Sequence, residues 1–158
     1  MIFTWRIGVE TAAYKADDTS GGGAQKTGGR WNRVGTALVY TSTTRALACL
    51  ETIVHFKTQD LPLNRYLVRF DIPERIWEKR ETLSVDCIDV GWDAIPFGST
   101  SMDIGERWVR ESRSCVLEVP SVIIPEELNV LINPAHPDAK EITATMVRKW
   151  MYDSRVRL

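Results

Sequence analysis

Three side chains that together suit an anionic substrate fall within the stretch 28–51. Arg30 follows a pair of glycines, Tyr40 ends a short apolar run, and Glu51 lies within an apolar helical pattern. A guanidinium can bind a phosphate or pyrophosphate through two parallel hydrogen bonds. A carboxylate that is already in place can stabilise positive charge as a bond breaks. The stretch therefore predicts a pocket for an anionic ligand that undergoes bond cleavage.

Each of these residues also has a purely structural interpretation. Arg30 can form a surface salt bridge, and the residues alone support this role and phosphate binding equally. The ring of Tyr40 can pack in the core or stack on a flat ligand. Arg6, a charged residue in an apolar strand pattern, is either a solvated residue of an edge strand or a second phosphate ligand. Taken alone, the pattern favours a solvated edge-strand residue for Arg6.

Hydrophobic periodicity predicts the elements that must position these side chains. Strand patterns occur at 2–9, 36–42, 65–72, 114–119, 122–124, 128–132 and 142–152. Thr43 or Thr44 can cap a helix that carries Glu51, and 99–112 fits another helix. The glycine-rich segment 17–35 predicts a long loop. Strands outnumber helices without regular β-α-β alternation, which predicts a single mixed α/β (α+β) domain over residues 1–158 and not a doubly wound fold.

Composition excludes several classes of protein. The 158 residues carry 20 basic and 21 acidic side chains, so no net attraction to nucleic acid or membranes is expected. The three cysteines are widely spaced, and neither a disulfide framework nor a metal site is predicted. No signal-peptide pattern and no apolar stretch of about 20 residues occur, so a soluble cytoplasmic protein is expected.

Familiar catalytic motifs are absent. The glycines before Arg30 match no nucleotide-binding pattern and precede a strand, so phosphate binding at a helix N-terminus is not implied. Ser114 opens an apolar strand outside any Gly-x-Ser-x-Gly motif, and the chain has two histidines. A serine-nucleophile hydrolase is therefore not indicated.

Several blocks of sequence, in register over nearly the whole chain, resemble the RES domain, the toxin of bacterial Xre–RES toxin–antitoxin modules. The blocks are Gly28-Gly29-Arg30-Trp31-Asn32, Val39-Tyr40-Thr41-Ser42, Ala46-Leu47-Ala48-x-Leu50-Glu51, the segment from Gly105-Glu106-Arg107-Trp108 to Ser114-Cys115-Val116-Leu117, Val119-Pro120-Ser121, and Asn133-Pro134-x-His136-Pro137. The extended Gly21–Gly23 segment and the C-terminal 149–153 depart from the pattern.

The resemblance assigns residues to a site. The family is named after an Arg, a Glu and a Ser, which correspond to Arg30, Glu51 and Ser114 here. Ser112 lies two residues away, but the following Cys115-Val116-Leu117 favours Ser114.

Further positions also match the family's pocket. Arg6 and Tyr40 do so, and Asn133 matches more loosely. The implied catalytic residues are Glu51, Arg30 and Tyr40, and the implied substrate-binding residues are Arg6, Arg30, Tyr40, Ser114 and Asn133.

The resemblance further implies a fold like that of ADP-ribosyltransferases, with a central, mostly antiparallel sheet flanked by helices. The implied activity is cleavage of the nicotinamide–ribose bond of NAD, as substrate and not cofactor, with water or phosphate as acceptor. Transfer of ADP-ribose to a protein and a non-catalytic ADP-ribose-binding module are the alternatives. The implied partner in a type II system is an Xre-like antitoxin that covers the site, and a homodimer within that assembly stays open.

Overall fold

A seven-stranded sheet forms the centre of the computed structural model, which describes residues 1–57 and 60–156. The strands are β1 (Ile2–Val9), β2 (Val39–Ser42), β3 (Arg65–Ile72), β4 (Glu81–Thr82), β5 (Val116–Pro120), β6 (Leu128–Ile132) and β7 (Thr143–Lys149). Their order across the sheet is β4-β5-β6-β2-β1-β3-β7, and each neighbouring pair is antiparallel except β4–β5. The predicted α+β class with a mostly antiparallel sheet is confirmed.

Helices and short turns fill the connections. The helices are α1 (Gly22–Thr27), α2 (Arg45–Ile53), α3 (Glu74–Trp77) and α4 (Ser99–Glu111), and short 3-10 turns cover Val85–Cys87 and Pro137–Glu141. Thr44 caps α2 as expected, because its side chain accepts a hydrogen bond from the backbone N–H of Leu47 at 3.1 Å. Within the described residues, no helix has the length and apolar character that crossing a membrane requires.

Two local predictions were wrong, each for a reason visible in the contacts. The segment 17–35 is not all loop, because α1 forms inside it despite its glycines. The side chain of Asn32 donates to the carbonyl of Ala24 at 2.9 Å, so packing with the following turn overrides the weak local propensity. The segment 122–124 is not a strand, because the Ser121 hydroxyl accepts the backbone N–H groups that a strand would pair.

The two faces of the sheet bury different clusters. On one face Val68 and Phe70 pack with apolar residues of the central strands, and on the other Leu117 and Leu131 pack against Trp108 of α4. The helix α2 packs on β1 through a cluster that includes Trp5, Ile7 and Ala48. The helix that carries Glu51 is thereby fixed to the middle of the sheet.

The sheet opens between its two central strands. A single residue pair, Trp5–Ser42, joins β1 to β2 within the described chain, whereas β1 and β3 pair along their whole length. Beyond that pair the strands part, and a cavity of about 460 Å³ lies between the Arg6–Val9 part of β1 and the side chains of Leu38 and Tyr40. This opening is a candidate entrance for a ligand.

Candidate active site

Arg30 projects from a tight turn that Tyr40 holds in place. The backbones of Gly29 and Asn32 pair across the turn, with N···O distances of 3.0 and 3.4 Å. The Tyr40 hydroxyl accepts from the backbone N–H of Trp31 at 3.0 Å and donates to Oδ1 of Asn32 at 2.7 Å. A Cβ on Gly29 would lie 2.7 Å from that hydroxyl, so the turn requires glycine there.

The helix α4 supports the same turn from below. A Cβ on Gly105 would meet the carbonyl of Trp31 at 1.7 Å, so the helix backbone lies directly against the turn. The carboxylate of Glu106 accepts from the backbone N–H of Arg33 at 2.7 Å and from the Thr36 hydroxyl at 2.8 Å. The turn is therefore rigid before any ligand binds.

The guanidinium of Arg30 is half-buried and only partly used by the protein. Its Nη1 donates to the carbonyls of Trp92 and Ala94, each at 2.9 Å. Within residues 1–57 and 60–156, Nε and Nη2 donate no hydrogen bond, so two donors remain for a ligand. Partial burial lowers the pKa of Arg30, and the negative charge of Glu51 opposes that shift. The cation and the carboxylate thus act on each other across one site.

Glu51 is held by one of its two oxygens. Its Oε1 accepts from the Ser121 hydroxyl at 2.7 Å and from Nδ2 of Asn129 at 2.6 Å. The Oε2 atom accepts no hydrogen bond from any part of the chain that the structure describes. Because two donors fix Oε1, the direction in which Oε2 points is fixed as well.

Arg6 lines the cavity but does not lie beside Glu51. Side chains alternate along β1, so Arg6 leaves the strand on the face opposite to Trp5 and Ile7, which pack on α2. Its Nη2 donates to the carbonyls of Ala16 and Asp18 at 2.6 and 2.7 Å. Burial lowers the pKa of Arg6 to about 10, and the charge of Asp18 opposes that shift. The guanidinium therefore shapes one wall of the opening between β1 and β2.

Tyr40 is a neutral phenol whose ring borders the cavity. Burial raises the pKa of Tyr40, and its hydroxyl proton is already donated to Asn32. The hydroxyl is therefore not placed to act as a base. Its geometry fits a residue that fixes the Arg30 turn with its hydroxyl and offers its ring to a ligand.

Ser114 lies at the end of β5 that is far from Ser121. Its hydroxyl accepts from Nε1 of Trp108 at 2.9 Å and donates to the carbonyl of Val116 at 3.0 Å. Ser114 and Ser121 lie beyond opposite ends of β5, about 20 Å apart at roughly 3.3 Å per extended residue. Ser114 is 3% exposed, and its hydroxyl also contacts Oε1 of Glu81 at 3.3 Å.

Asn133 lies at the same end of the β5–β6 pair as Ser114. Its Nδ2 donates to the carbonyl of Val109 at 3.3 Å, and its Oδ1 accepts from the backbone N–H of Ala135 at 3.0 Å. Its backbone N–H donates to the carbonyl of Cys115. The side chain is fully buried and ties the end of β6 to α4.

The sequence matches one known family along nearly all of its length. A family model described as RES domain matches residues 4–154. The chain belongs to the RES domain family. A protein named Prs ADP-ribosylating toxin, from Sphingobium sp. (strain YBL2), is 54% identical over 152 residues, which cover 96% of this chain and 94% of that protein.

Two more distant RES relatives are also toxins by name. A protein named Toxin Res from Photorhabdus laumondii subsp. laumondii is 37% identical over 82% of this chain and 81% of its own length. Another Toxin Res, from Pseudomonas putida, is 32% identical over 96% of this chain and 97% of its own length. The resemblance seen in the motifs is thus confirmed, and this RES domain is similar to proteins named as toxins over 82 to 96% of its length.

The residues that sequence reasoning missed in this RES domain are Ser121 and Asn129. Both bind Glu51, and both are separated from it by 70 or more positions. Two signals were present: Ser121 stands in a block that resembled the family, and Asn129 is an isolated amide in an apolar strand pattern. Neither signal says which distant carboxylate the side chain contacts.

The described part of the RES domain contains no cluster of potential metal ligands. Within residues 1–57 and 60–156, no three His, Cys, Asp or Glu side chains are placed to hold a metal ion. What the site offers is a cation with unused donors, a carboxylate with one unused oxygen, and an aromatic ring beside a cavity.

Proposed function

We propose that this RES-domain protein is a toxin that cleaves the nicotinamide–ribose bond of NAD and transfers the ADP-ribose to a protein. The observation that carries the proposal is the Glu51 carboxylate, which is held by two donors on Oε1 and lies within electrostatic reach of Arg30. A pocket that only bound ADP-ribose would not require a prepositioned acid at this point.

We place the substrate at Arg30, Tyr40 and Glu51, beside the cavity between β1 and β2. We place the pyrophosphate at Nε and Nη2 of Arg30, the donor atoms for which residues 1–57 and 60–156 supply no acceptor. Arg6 lines the cavity between β1 and β2, which the ring of Tyr40 also borders, and so supplies a second cation nearby. The ring of Tyr40 gives a flat surface between them, suited to stacking on the nicotinamide or to packing against its ribose.

The bond-breaking step needs one carboxylate. The C1′–N bond breaks with its electron pair passing to the nicotinamide ring nitrogen, so nicotinamide leaves neutral and needs no proton. The ribose becomes oxocarbenium-like, as a sugar does in glycoside hydrolysis. Glu51, through Oε2, stabilises that positive charge and can orient a ribose hydroxyl. The acceptor then bonds to C1′ and gives up its proton.

The acceptor is where the proposal departs from the sequence-based expectation of water or phosphate. The relative from Sphingobium that is 54% identical is named for ADP-ribosylation of Prs. At that identity over nearly the whole chain, we favour a protein acceptor. Water and phosphate remain competing acceptors, because the same oxocarbenium-like ribose can react with each of them.

A toxin of this kind requires a partner that restrains it. We propose a cognate Xre-like antitoxin that covers the region of Arg30 and Glu51 and so denies NAD access to them. The names of the RES relatives as toxins support a partner of that class.

The test is incubation of the purified protein with adenine-labelled NAD in four parallel reactions: buffer alone, inorganic phosphate, purified Prs, and a total protein extract. We expect nicotinamide release together with label on Prs or on a protein of the extract, and neither with Glu51→Gln. Label found only in free ADP-ribose or its 1-phosphate would establish NAD degradation. No nicotinamide release in any reaction would contradict an enzymatic function.

A further inference from the structure

A chain of hydrogen bonds reaches Glu51 from the sheet beneath it. The Ser42 hydroxyl donates to Oδ1 of Asn129 at 2.7 Å, and Nδ2 of Asn129 donates to Oε1 of Glu51 at 2.6 Å. Ser42 and Asn129 are directly opposite each other in the β2–β6 register, so their side chains share one face of the sheet. Three elements, β2, β6 and α2, are thus joined at the carboxylate.

The direction of this chain follows from the chemistry of the amide. An asparagine has an acceptor end and a donor end, and only the donor end can face a carboxylate without two acceptors meeting. The Ser42 hydroxyl supplies the donor that Oδ1 needs in this orientation. Rotating the amide of Asn129 would place Oδ1 against Glu51, so the observed arrangement is the stable one.

Ser121 cannot position the carboxylate by itself. Its hydroxyl gives its proton to Glu51 and also accepts from the backbone N–H groups of Ile123 and Ile124 at 3.1 and 3.3 Å. One donor leaves the carboxyl group free to rotate about that single bond. The second donor, from Asn129, fixes the plane of the group.

We propose that Asn129, oriented by Ser42, is a positioning residue that aims the free oxygen of Glu51 at the ribose of the substrate. This inference rests on the proposed function. Its consequence is that loss of the Asn129 donor lowers kcat more than it raises KM for NAD, because the phosphate contacts of Arg30 do not depend on it.

The sharpest variant is Asn129→Asp, which keeps the shape and replaces the donor by a second carboxylate. Near neutral pH the two carboxylates repel, and we expect kcat for nicotinamide release to fall about 100-fold. At lower pH the pair shares a proton, which restores an O–H donor. The ratio of variant to wild-type kcat should therefore rise at least tenfold between pH 8 and pH 5.5.

Two further variants separate positioning from folding. Asn129→Leu has no donor at any pH, so we expect kcat to fall about 10- to 100-fold with a pH-independent ratio and a KM within about threefold of wild type. Ser42→Ala removes only the orienting hydroxyl and should lower kcat about 3- to 10-fold. Wild-type kcat in Asn129→Leu or in Ser42→Ala overturns the proposal, and so does a pH-independent ratio for Asn129→Asp.

A measurement on the resting protein keeps this inference separate from the proposed function. Hydrogen exchange of the Asn129 side-chain amide by NMR should be slow in the wild type and faster in Ser42→Ala and Glu51→Ala. If the wild type releases no nicotinamide but this protection pattern is found, the proposed function fails and the positioning contact stands. Exchange at the solvent-exposed rate in the wild type overturns the positioning proposal, whatever the activity.

Discussion

The β5–β6 strand pair has a serine and an asparagine near each of its ends, and the two ends differ in what those side chains contact. At one end Ser121 and Asn129 both donate to Glu51. At the other end Ser114 binds the indole N–H of Trp108 and a backbone carbonyl, and Asn133 binds the backbone of α4. The residue types are the same, and the groups that they meet are different.

The contacts at the two ends distinguish a structural cluster, around Ser114, from the candidate active site, around Glu51. At the Ser114 end the hydrogen bonds run to an indole N–H and to backbone carbonyls, and the carboxylate that Ser114 also contacts, that of Glu81, is already paired with Arg113. These contacts stabilise the junction of β5, β6 and α4. At the Glu51 end the donors converge on a charged group, and its second oxygen accepts no hydrogen bond from residues 1–57 and 60–156. The cation of Arg30 lies near this carboxylate. Substitutions at the two ends should therefore change different quantities.

The largest effect is expected for Glu51→Gln, which keeps the size of the side chain and removes its charge. Without a carboxylate the oxocarbenium-like ribose loses its main electrostatic partner, and nicotinamide release should fall about 10²- to 10³-fold. Thermal unfolding should shift by no more than a few degrees, since the fold does not depend on the charge. Activity within threefold of wild type at equal protein concentration would place the chemistry elsewhere.

A smaller effect on binding is expected for Arg30→Ala. Loss of a charge-assisted bond to the pyrophosphate should raise KM for NAD about 10- to 100-fold. Arg33→Ala is the matched control, because Arg33 lies three positions away, is exposed, and pairs with Asp103 at the surface. Steady-state kinetics of both variants test this prediction. An equal change in KM for the two variants would show that Arg30 does not bind the pyrophosphate.

At the structural end, Ser114→Ala should change stability and spare activity. The variant leaves the buried Nε1–H of Trp108 without its acceptor, which costs about 1–3 kcal/mol of unfolding free energy. The rate of nicotinamide release should stay within twofold of wild type. Denaturant unfolding and the NAD assay on the same preparation test this prediction. Ser121→Ala is the comparison variant, in which we expect activity to fall at least tenfold. Loss of activity in Ser114→Ala without loss of stability would show that Ser114 belongs to the active site.

The smallest effect is a gain of stability in Ser112→Gly. Ser112 ends α4 in the left-handed conformation, with φ 50° and ψ 36°, which glycine adopts without steric cost. We expect the unfolding free energy to rise by about 0.5–1 kcal/mol and the activity to stay unchanged. A fall in nicotinamide release in this variant would make Ser112, and not Ser121, the serine that the reaction needs.

The fold was predictable where a local pattern determines the element. The alternation in 2–9 and 65–72 matches β1 and β3, and Thr44 caps α2 as its position indicated. The helix α1 was not predictable, because its stability comes from contacts with a later turn and not from its own glycine-rich sequence. The opening between β1 and β2 depends on pairing across the sheet, which no local pattern encodes.

For the candidate site, the sequence could group only those residues that lie close together along the chain. Arg30, Tyr40 and Glu51 come from one short stretch, and the structure brings them to one region. The donors to Glu51 come from β6 and from the end of β5, and the choice between Ser114 and Ser121 depends on which end of a strand approaches α2. That choice depends on a tertiary contact, so the sequence blocks alone do not determine it, and the assignment of Ser114 stays a prediction.

The most direct test is a crystal structure of the Glu51→Gln protein grown with NAD, in which the substrate should persist. We predict the pyrophosphate within hydrogen-bonding distance of Nε and Nη2 of Arg30, and C1′ of the nicotinamide ribose within about 4 Å of the side-chain carboxamide at position 51. NAD bound with its nicotinamide ribose away from position 51, or with its pyrophosphate away from Arg30, would contradict the account.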